Sequence, residues 1–204
     1  GDDKYLGYAK HGWHFLRDVM WDKEYGGFFN LVTREGIPIN EGNNPRIHKN
    51  AYGNAFAIYA LAAYYKESND IEALNLAKEA FMWLEDGSHD SGYGGYFQFL
   101  DQNGTPFEDG MGNIPPKDQN SSIHLMEAFT ELYSVWPDEL VRQRLQEMFY
   151  LIRDVFVNNM GSLRLYMSRS LTPLSYQDSS KGAHQKMYFL DHMSFGHDVE
   201  TAYL

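Results

Sequence analysis

Apolar residues recur at spacings of three and four along residues 3–20, where Tyr5, Tyr8, Ala9, Trp13, Leu16 and Met20 predict an amphipathic helix. The turn WDKEYGGFF at 21–29 ends it; Phe28, Phe29, Leu31 and Val32 then predict a short strand or hairpin, followed by the turn REGIP and a polar loop up to Arg46. Residues 49–66 are dense in Ala and Tyr and apolar nearly all round, which predicts a helix buried on most sides. Asn69, with Glu72 three residues on, is the expected N-cap of a third helix over 70–86 that stops before Gly87. Its stripe of Leu74, Ala77, Phe81 and Leu84 is one-sided, so this helix lies at a surface. A fourth helix runs through NSSIHLMEAFTELY at 120–133, Trp136-Pro137 shapes the next turn, and a fifth helix over 138–157 carries the stripe Leu145, Met148, Phe149, Ile152 and Phe156.

The pattern repeats when the numbering is shifted by 68. Leu16-Arg17-Asp18 falls on Leu84-Glu85-Asp86 and on Ile152-Arg153-Asp154, and Asp22, Tyr25, Gly26, Gly27 and Phe29 fall on Asp90, Tyr93, Gly94, Gly95 and Phe97. Gly36, Pro38 and Lys49 fall on Gly104, Pro106 and Lys117. A third copy is looser: Asn158 replaces the Asp, and extra residues over 175–190 delay the next inner helix. The chain reads as one domain, 1–204, of helix–hairpin–helix units at about 3–48, 49–116 and 117–193, with a further inner helix starting at 194–204. A helix pair cannot bury its inner face alone and must stack on its neighbours. Gly-rich aromatic hairpins at one end of every unit favour a closed ring, because they converge over one mouth, whereas open solenoids join helices by short turns. The expected class is all-α with short β-hairpins.

Composition narrows the partners. With 43% hydrophobic and 16% aromatic residues the chain can bury a core. A net charge of −11 without clustered Lys and Arg excludes nucleic acid and an anionic membrane surface as expected partners and leaves a neutral small ligand. No cysteine is present, which excludes disulfides, zinc–thiolate sites and thiol nucleophiles and is compatible with a cytoplasmic location. The longest apolar run, 55–65, is too short to span a bilayer, and the N-terminus lacks a signal-peptide pattern. A start at Gly1 without Met reads as a trimmed or processed end.

Two His-x-x-Glu pairs stand out, His124 with Glu127 and His197 with Glu200, each projecting from one helix face. The repeat places Phe56 opposite His124 and Tyr59 opposite Glu127, so structural constraint alone does not select a titratable pair there. Three readings stand: core histidines satisfied by a carboxylate, general acid and base chemistry near neutral pH, or a metal site of two His and two carboxylates. Asn120 either contacts a ligand hydroxyl or caps its helix, and the loop aromatics Trp21, Tyr25, Phe28, Tyr93, Tyr96 and Tyr166 either stack on sugar rings or anchor hairpins. Arg46 and Lys49 are candidates for an oxygen at the mouth against a solvated charge, and Asp191 and Asp198 for acids against caps.

At NSSIHLMEAFTELYSVWP and SFGHDVETAYL, supported by the GGYF turn and KNAYGNAFAIYALAAYY, the sequence resembles the N-acylglucosamine 2-epimerase family, which includes cellobiose and mannobiose 2-epimerases. The resemblance covers the N-terminal half of a typical member. It implies an (α/α)6 barrel of which this chain supplies about half, and epimerisation at C2 of a reducing sugar without a redox cofactor or a metal. It further implies His197 as one acid/base histidine, Glu200 as its partner or a sugar contact, and Asn120 and His124 as substrate binders that assist ring opening; Glu127, Phe56, Tyr59 and Tyr93 are the other expected substrate-binding residues. The second catalytic histidine is expected beyond Leu204, so this stretch alone is expected to be inactive and to pair with a second copy through the open barrel edge. One departure is Phe56, where the family usually carries Arg. A glycoside hydrolase or lyase on the same barrel, or a carbohydrate-binding helical array without turnover, are the alternatives.

Overall fold

A computed structural model describes residues 3–40, 46–175, 187 and 190–204 of the chain. Helix α1 spans Asp3–Phe15, α2 Ala51–Ser68, α3 Ile71–Gly87, α4 Gln119–Val135, α5 Glu139–Leu151 and α6 Phe195–Tyr203. Helix α2 packs between α4 and α3, and α4 takes α5 on its other side. Their contact is the core, with Ala55, Ile58, Leu61, Phe81, Leu84, Ile123, Phe129 and Leu132 all but sealed from solvent. Phe81 meets Phe129 edge to face at 5.2 Å. Among the described residues no helix is long and apolar enough to cross a membrane.

Local chemistry recurs every 68 residues. Trp21, His89 and Val157 each donate a backbone N–H five residues back, to Leu16, Leu84 and Ile152, so one wide π-type turn closes α1, α3 and α5. Strands β1 (Leu31–Val32) and β2 (Pro38–Ile39) form a hairpin through Val32 and Pro38. The equivalent bridges are Leu100 to Pro106 and, one residue short of the repeat, Met167 to Pro173. Strand β3 (His48–Asn50), which leads into α2, pairs antiparallel with β4 (Phe99–Asp101), and β5 (Lys117–Asp118), which leads into α4, pairs with β6 (Tyr166–Met167). Each ladder ties the entry of an inner helix to the hairpin further along the same unit.

Two buried ion pairs lie beneath them. Lys49 Nζ meets Asp22 Oδ2 at 2.8 Å and Lys117 Nζ meets Asp90 Oδ2 at 2.9 Å, and each ammonium also donates to a backbone carbonyl of the Gly-Gly turn, Gly26 or Gly94. Burial pushes both lysines down while the carboxylate opposes it. Burial also raises Asp22 and Asp90, but the lysine and the turn N–H groups outweigh it and hold both carboxyls below their ordinary value. The turn needs glycine: Gly27 has φ +71°, and a Cβ there would lie 2.7 Å from the Trp83 ring.

Several sequence expectations change. Asn69 closes α2 in the left-handed region at φ 58°, and the N-cap of α3 is Asp70, whose carboxylate accepts the Glu72 N–H at 3.1 Å. The cause is that α2 runs on to Ser68, and Asn tolerates the left-handed conformation that ends a helix. Lys49 is neither at the mouth nor solvated, because Asp22 holds it inside. Tyr5 and Tyr8 are 67% and 63% exposed, since α1 meets α2 chiefly at its far end, where Trp13 stacks on Tyr64 at 6.3 Å. Phe149 is also exposed and lies under the Arg153 guanidinium. Helix α2 is buried on most sides, as expected, and leaves Tyr52, Phe56 and Tyr59 as one half-open stripe. The extra residues of the third unit lie largely outside the described residues.

Candidate functional site

The open stripe of α2 faces the equivalent stripe of α4. Both helices start from the same cap, with Asn50 Oδ1 accepting Gly53 N–H and Asp118 Oδ2 accepting Ser121 N–H, so their side chains come into register. Phe56 therefore packs on its repeat counterpart His124, ring centroids 4.6 Å apart, and Tyr52 closes the edge of the same imidazole at 5.2 Å. His124 is buried, and its Nδ1 lies 2.6 Å from Glu127 Oε2 across one helical turn. A carboxylate only accepts, so Nδ1 carries the proton and Nε2 is left as the basic atom.

Helix α6 adds the second histidine. The His197 ring lies 6.3 Å from that of His124, and one ring nitrogen of each together with a Glu200 carboxylate oxygen fall within 4.8 Å of one another. His197 is not held as His124 is. Its Nδ1 lies 3.1 Å from Gln119 Nε2 and 2.8 Å from Ser194 Oγ, and among the described residues Glu200 makes no hydrogen bond to it. The reason is position: His197 sits in the first turn of α6, where the Ser194 hydroxyl is in reach and the first residue of α4 comes across to it. Two imidazoles and a carboxylate at this spacing suit proton transfer to and from one small molecule, and the same donor set could ligate a divalent cation.

Around the pair the polar atoms are underused. Asp118 Oδ1, Gln119 Oε1, Asn120 Oδ1 and Thr201 Oγ1 are buried without a partner among the described residues. Burial pushes the Asp118 carboxyl up to about 6, against the opposing pull of the Ser121 hydrogen bonds and of the nearby His124. Burial, with Asp118 behind it, raises Tyr166.

The expected residues therefore divide. His124, Glu127, Phe56, His197 and Glu200 come together, and Asn120 lies one turn before His124. Tyr59 and Glu127 border an open cavity of about 560 Å³ that Leu145, Phe149 and Tyr203 also line. Tyr93 lines a different cavity, with Glu108, Asp109 and Arg169, whose guanidinium lies over its ring. Phe28 and Tyr96 are core, and Trp21 packs edge-on against Phe28 at 5.0 Å. Asp198 Oδ1 accepts the Leu163 N–H and ties α6 to the third unit, and Asp191 accepts the Ser175 hydroxyl. Gln119, Ser194, Tyr52 and Asp118 were not singled out in the sequence. Only their spacing could have found them: Tyr52 is four residues before Phe56, Ser194 three before His197, and Asp118 aligns with Asn50.

Comparison with known proteins identifies the family and the fold. The model of the family described as N-acylglucosamine 2-epimerase (GlcNAc 2-epimerase) matches residues 1–204. A cellobiose 2-epimerase of Ruminococcus albus is 32% identical over 211 residues, covering 100% of this chain and 48% of its own length. The solved cellobiose 2-epimerase from Spirochaeta thermophila superposes with a TM-score of 0.77 at 33% identity, over 85% of this chain and 43% of that one. A sugar epimerase from a ruminal bacterium superposes with a TM-score of 0.81 at 30% identity, over 100% of this chain and 47% of that one. The chain spans about half the length of the relatives it matches and corresponds to their N-terminal half. Its helix pairs supply about half of an (α/α)6 barrel.

Proposed function

The chain belongs to the N-acylglucosamine 2-epimerase family, and on that premise we propose that the face shared by α2, α4 and α6 is one wall of the active site of a sugar 2-epimerase. The substrate is a reducing sugar of the N-acylglucosamine, cellobiose or mannobiose type. The observation that carries the reading is the His124–His197 pair, two imidazoles 6.3 Å apart with Glu127 bonded to one and Glu200 beside the other.

The chemistry asks for these groups. Once the sugar ring is open, the aldehyde at C1 acidifies the proton on C2; a base removes it, the electron pair becomes the enediolate, and reprotonation from the opposite face gives the other epimer. In this reading His197 exchanges the proton on one face and a group outside these 204 residues serves the other. His124, with its proton held on Nδ1 by Glu127, presents Nε2 to a sugar hydroxyl and assists ring opening. Asn120 contributes a buried, unpartnered oxygen as an acceptor for a hydroxyl. Phe56 brings no charge for the enediolate; its ring gives an apolar floor beside His124, and Tyr59 extends that floor toward Glu127.

The test is isotopic. The full-length protein incubated in deuterated water with cellobiose, mannobiose, mannose or N-acetylglucosamine is expected to place deuterium at C2 of at least one. No incorporation into any of the four would overturn the proposal.

A further inference from the structure

We infer that the His124–His197 face also binds a divalent cation of the zinc class, held by one nitrogen of each imidazole and a Glu200 oxygen, and that this ion excludes the sugar. The site rests on the side-chain geometry; its inhibitory consequence rests on the proposed function above.

One ring nitrogen of His124, one of His197 and a Glu200 carboxylate oxygen lie within 4.8 Å of one another. Two imidazoles and one carboxylate are the ligand set of open zinc sites, in which water or a substrate takes the fourth position. Ligands about 2.0–2.2 Å from an ion stand roughly 3.3 Å apart, so these groups need to draw in by no more than about 1.5 Å. Helix α6 has room for that, since none of its residues is fully buried and both His197 and Glu200 belong to it. His124 is the fixed member. Glu127 Oε2 holds its Nδ1 at 2.6 Å, which leaves Nε2 for the ion and makes Glu127 the outer carboxylate that orients a metal-binding histidine.

His197 is supported in the same way on the side away from the ion. Ser194 Oγ lies 2.8 Å from its Nδ1 and can accept an N–H there, so that Nε2 keeps its lone pair. The Gln119 amide, 3.1 Å from the same nitrogen, turned over accepts that hydrogen through Oε1, an oxygen with no other partner among the described residues. Asp198 is not a ligand, because its Oδ1 accepts the Leu163 N–H. Asn120 Oδ1 and Thr201 Oγ1, one turn from His124 and from His197, are buried without a partner among the described residues and can accept from ion-bound water. Imidazole and carboxylate together select a borderline ion such as Zn²⁺ over Mg²⁺ and Ca²⁺, which prefer oxygen ligands alone.

Proton exchange at C2 uses the His197 lone pair and needs no ion. An ion on both rings removes that base and the acceptor for ring opening together, so ion and sugar exclude one another.

The probe is Zn²⁺ alone. The full-length protein, stripped with a chelator and titrated calorimetrically, is expected to take up Zn²⁺ saturably and to give no heat with Mg²⁺ at the same concentration. His197→Ala and Glu200→Gln are each expected to weaken Zn²⁺ on the order of 10²-fold, and Glu127→Gln, which loosens only the outer carboxylate, about tenfold. No saturable uptake, or an affinity within about threefold of the original in both His197→Ala and Glu200→Gln, would overturn the site. With a sugar that exchanges at C2, Zn²⁺ is expected to raise KM in proportion to its concentration with kcat unchanged; a lowered kcat at unchanged KM would overturn the exclusion. If no sugar exchanges, the proposed function fails while the calorimetry, which needs no turnover, still decides the site.

Discussion

Helices α2 and α4 begin alike and end as different surfaces. Each is entered by a strand that pairs with the hairpin further along its own unit, each is capped by Asn50 or Asp118, and beneath each a buried lysine grips the preceding Asp and Gly-Gly turn. On the face that looks inward, Phe56 and Tyr59 of α2 stand where α4 has His124 and Glu127. The scaffold is thus set by residues at the helix starts, and the chemistry is a separate choice at positions one and two turns further in. Side chains that hold the repeat together can be altered without touching the pair, and the reverse also holds.

The comparison can be broken on the chemical side first. His197→Ala should lower deuterium exchange at C2 by at least about 10³-fold, the loss of some 4 kcal/mol of transition-state stabilisation. Exchange within about tenfold of the original would remove His197 from proton transfer. On the scaffold side, Lys49→Met strands the buried Asp22 carboxylate and should cost about 3–5 kcal/mol, read as a lowered denaturation midpoint. Lys117→Met should cost less, since Arg169 Nε also lies 3.4 Å from Asp90 Oδ2; equal losses would show that Arg169 adds nothing to the second pair.

A smaller effect separates the two caps. Asp118 titrates near 6 in the folded protein against an ordinary value of 3.8, so the folded state holds this proton more tightly than the unfolded state does. Its contribution is fully present below about pH 4 and is lost as pH rises through 6, amounting to about 2–3 kcal/mol at 1.36 kcal/mol per unit. Asp118→Asn, which copies the cap of α2, should flatten that decline between pH 4 and 7; an unchanged slope in urea titrations would reject burial as its cause. Smallest is Phe56→Ala, which removes an apolar wall beside His124 and should raise KM about fivefold with little change in kcat, the signature of lost uniform binding.

The helices were legible because their apolar periodicity is strong, and the repeat because Asp22, Gly26, Gly27 and Lys49 recur as a set. The His-x-x-Glu spacing put His124 and Glu127 together correctly, since three residues make one helical turn. The same rule failed for the bonding of His197, whose Nδ1 meets Gln119 and Ser194. Stripe reading likewise placed Tyr5, Tyr8 and Phe149 inside, although they are 67%, 63% and 46% exposed. Local spacing says which residues share a face, and it does not say what the face meets.

By itself, then, the sequence determined the helix–hairpin–helix order, the positions where the second and third inner helices turn titratable, and the family to which they belong. Tertiary structure decided the rest: that β3 pairs with β4 and β5 with β6, that Lys49 and Lys117 are buried, and that Phe56 lies on His124. It also brought Gln119 and His197 together from 78 residues apart. The physical reason is that backbone periodicity is a local property of the chain, whereas strand partners, burial and the orientation of an amide depend on which distant groups packing brings within about 3 Å.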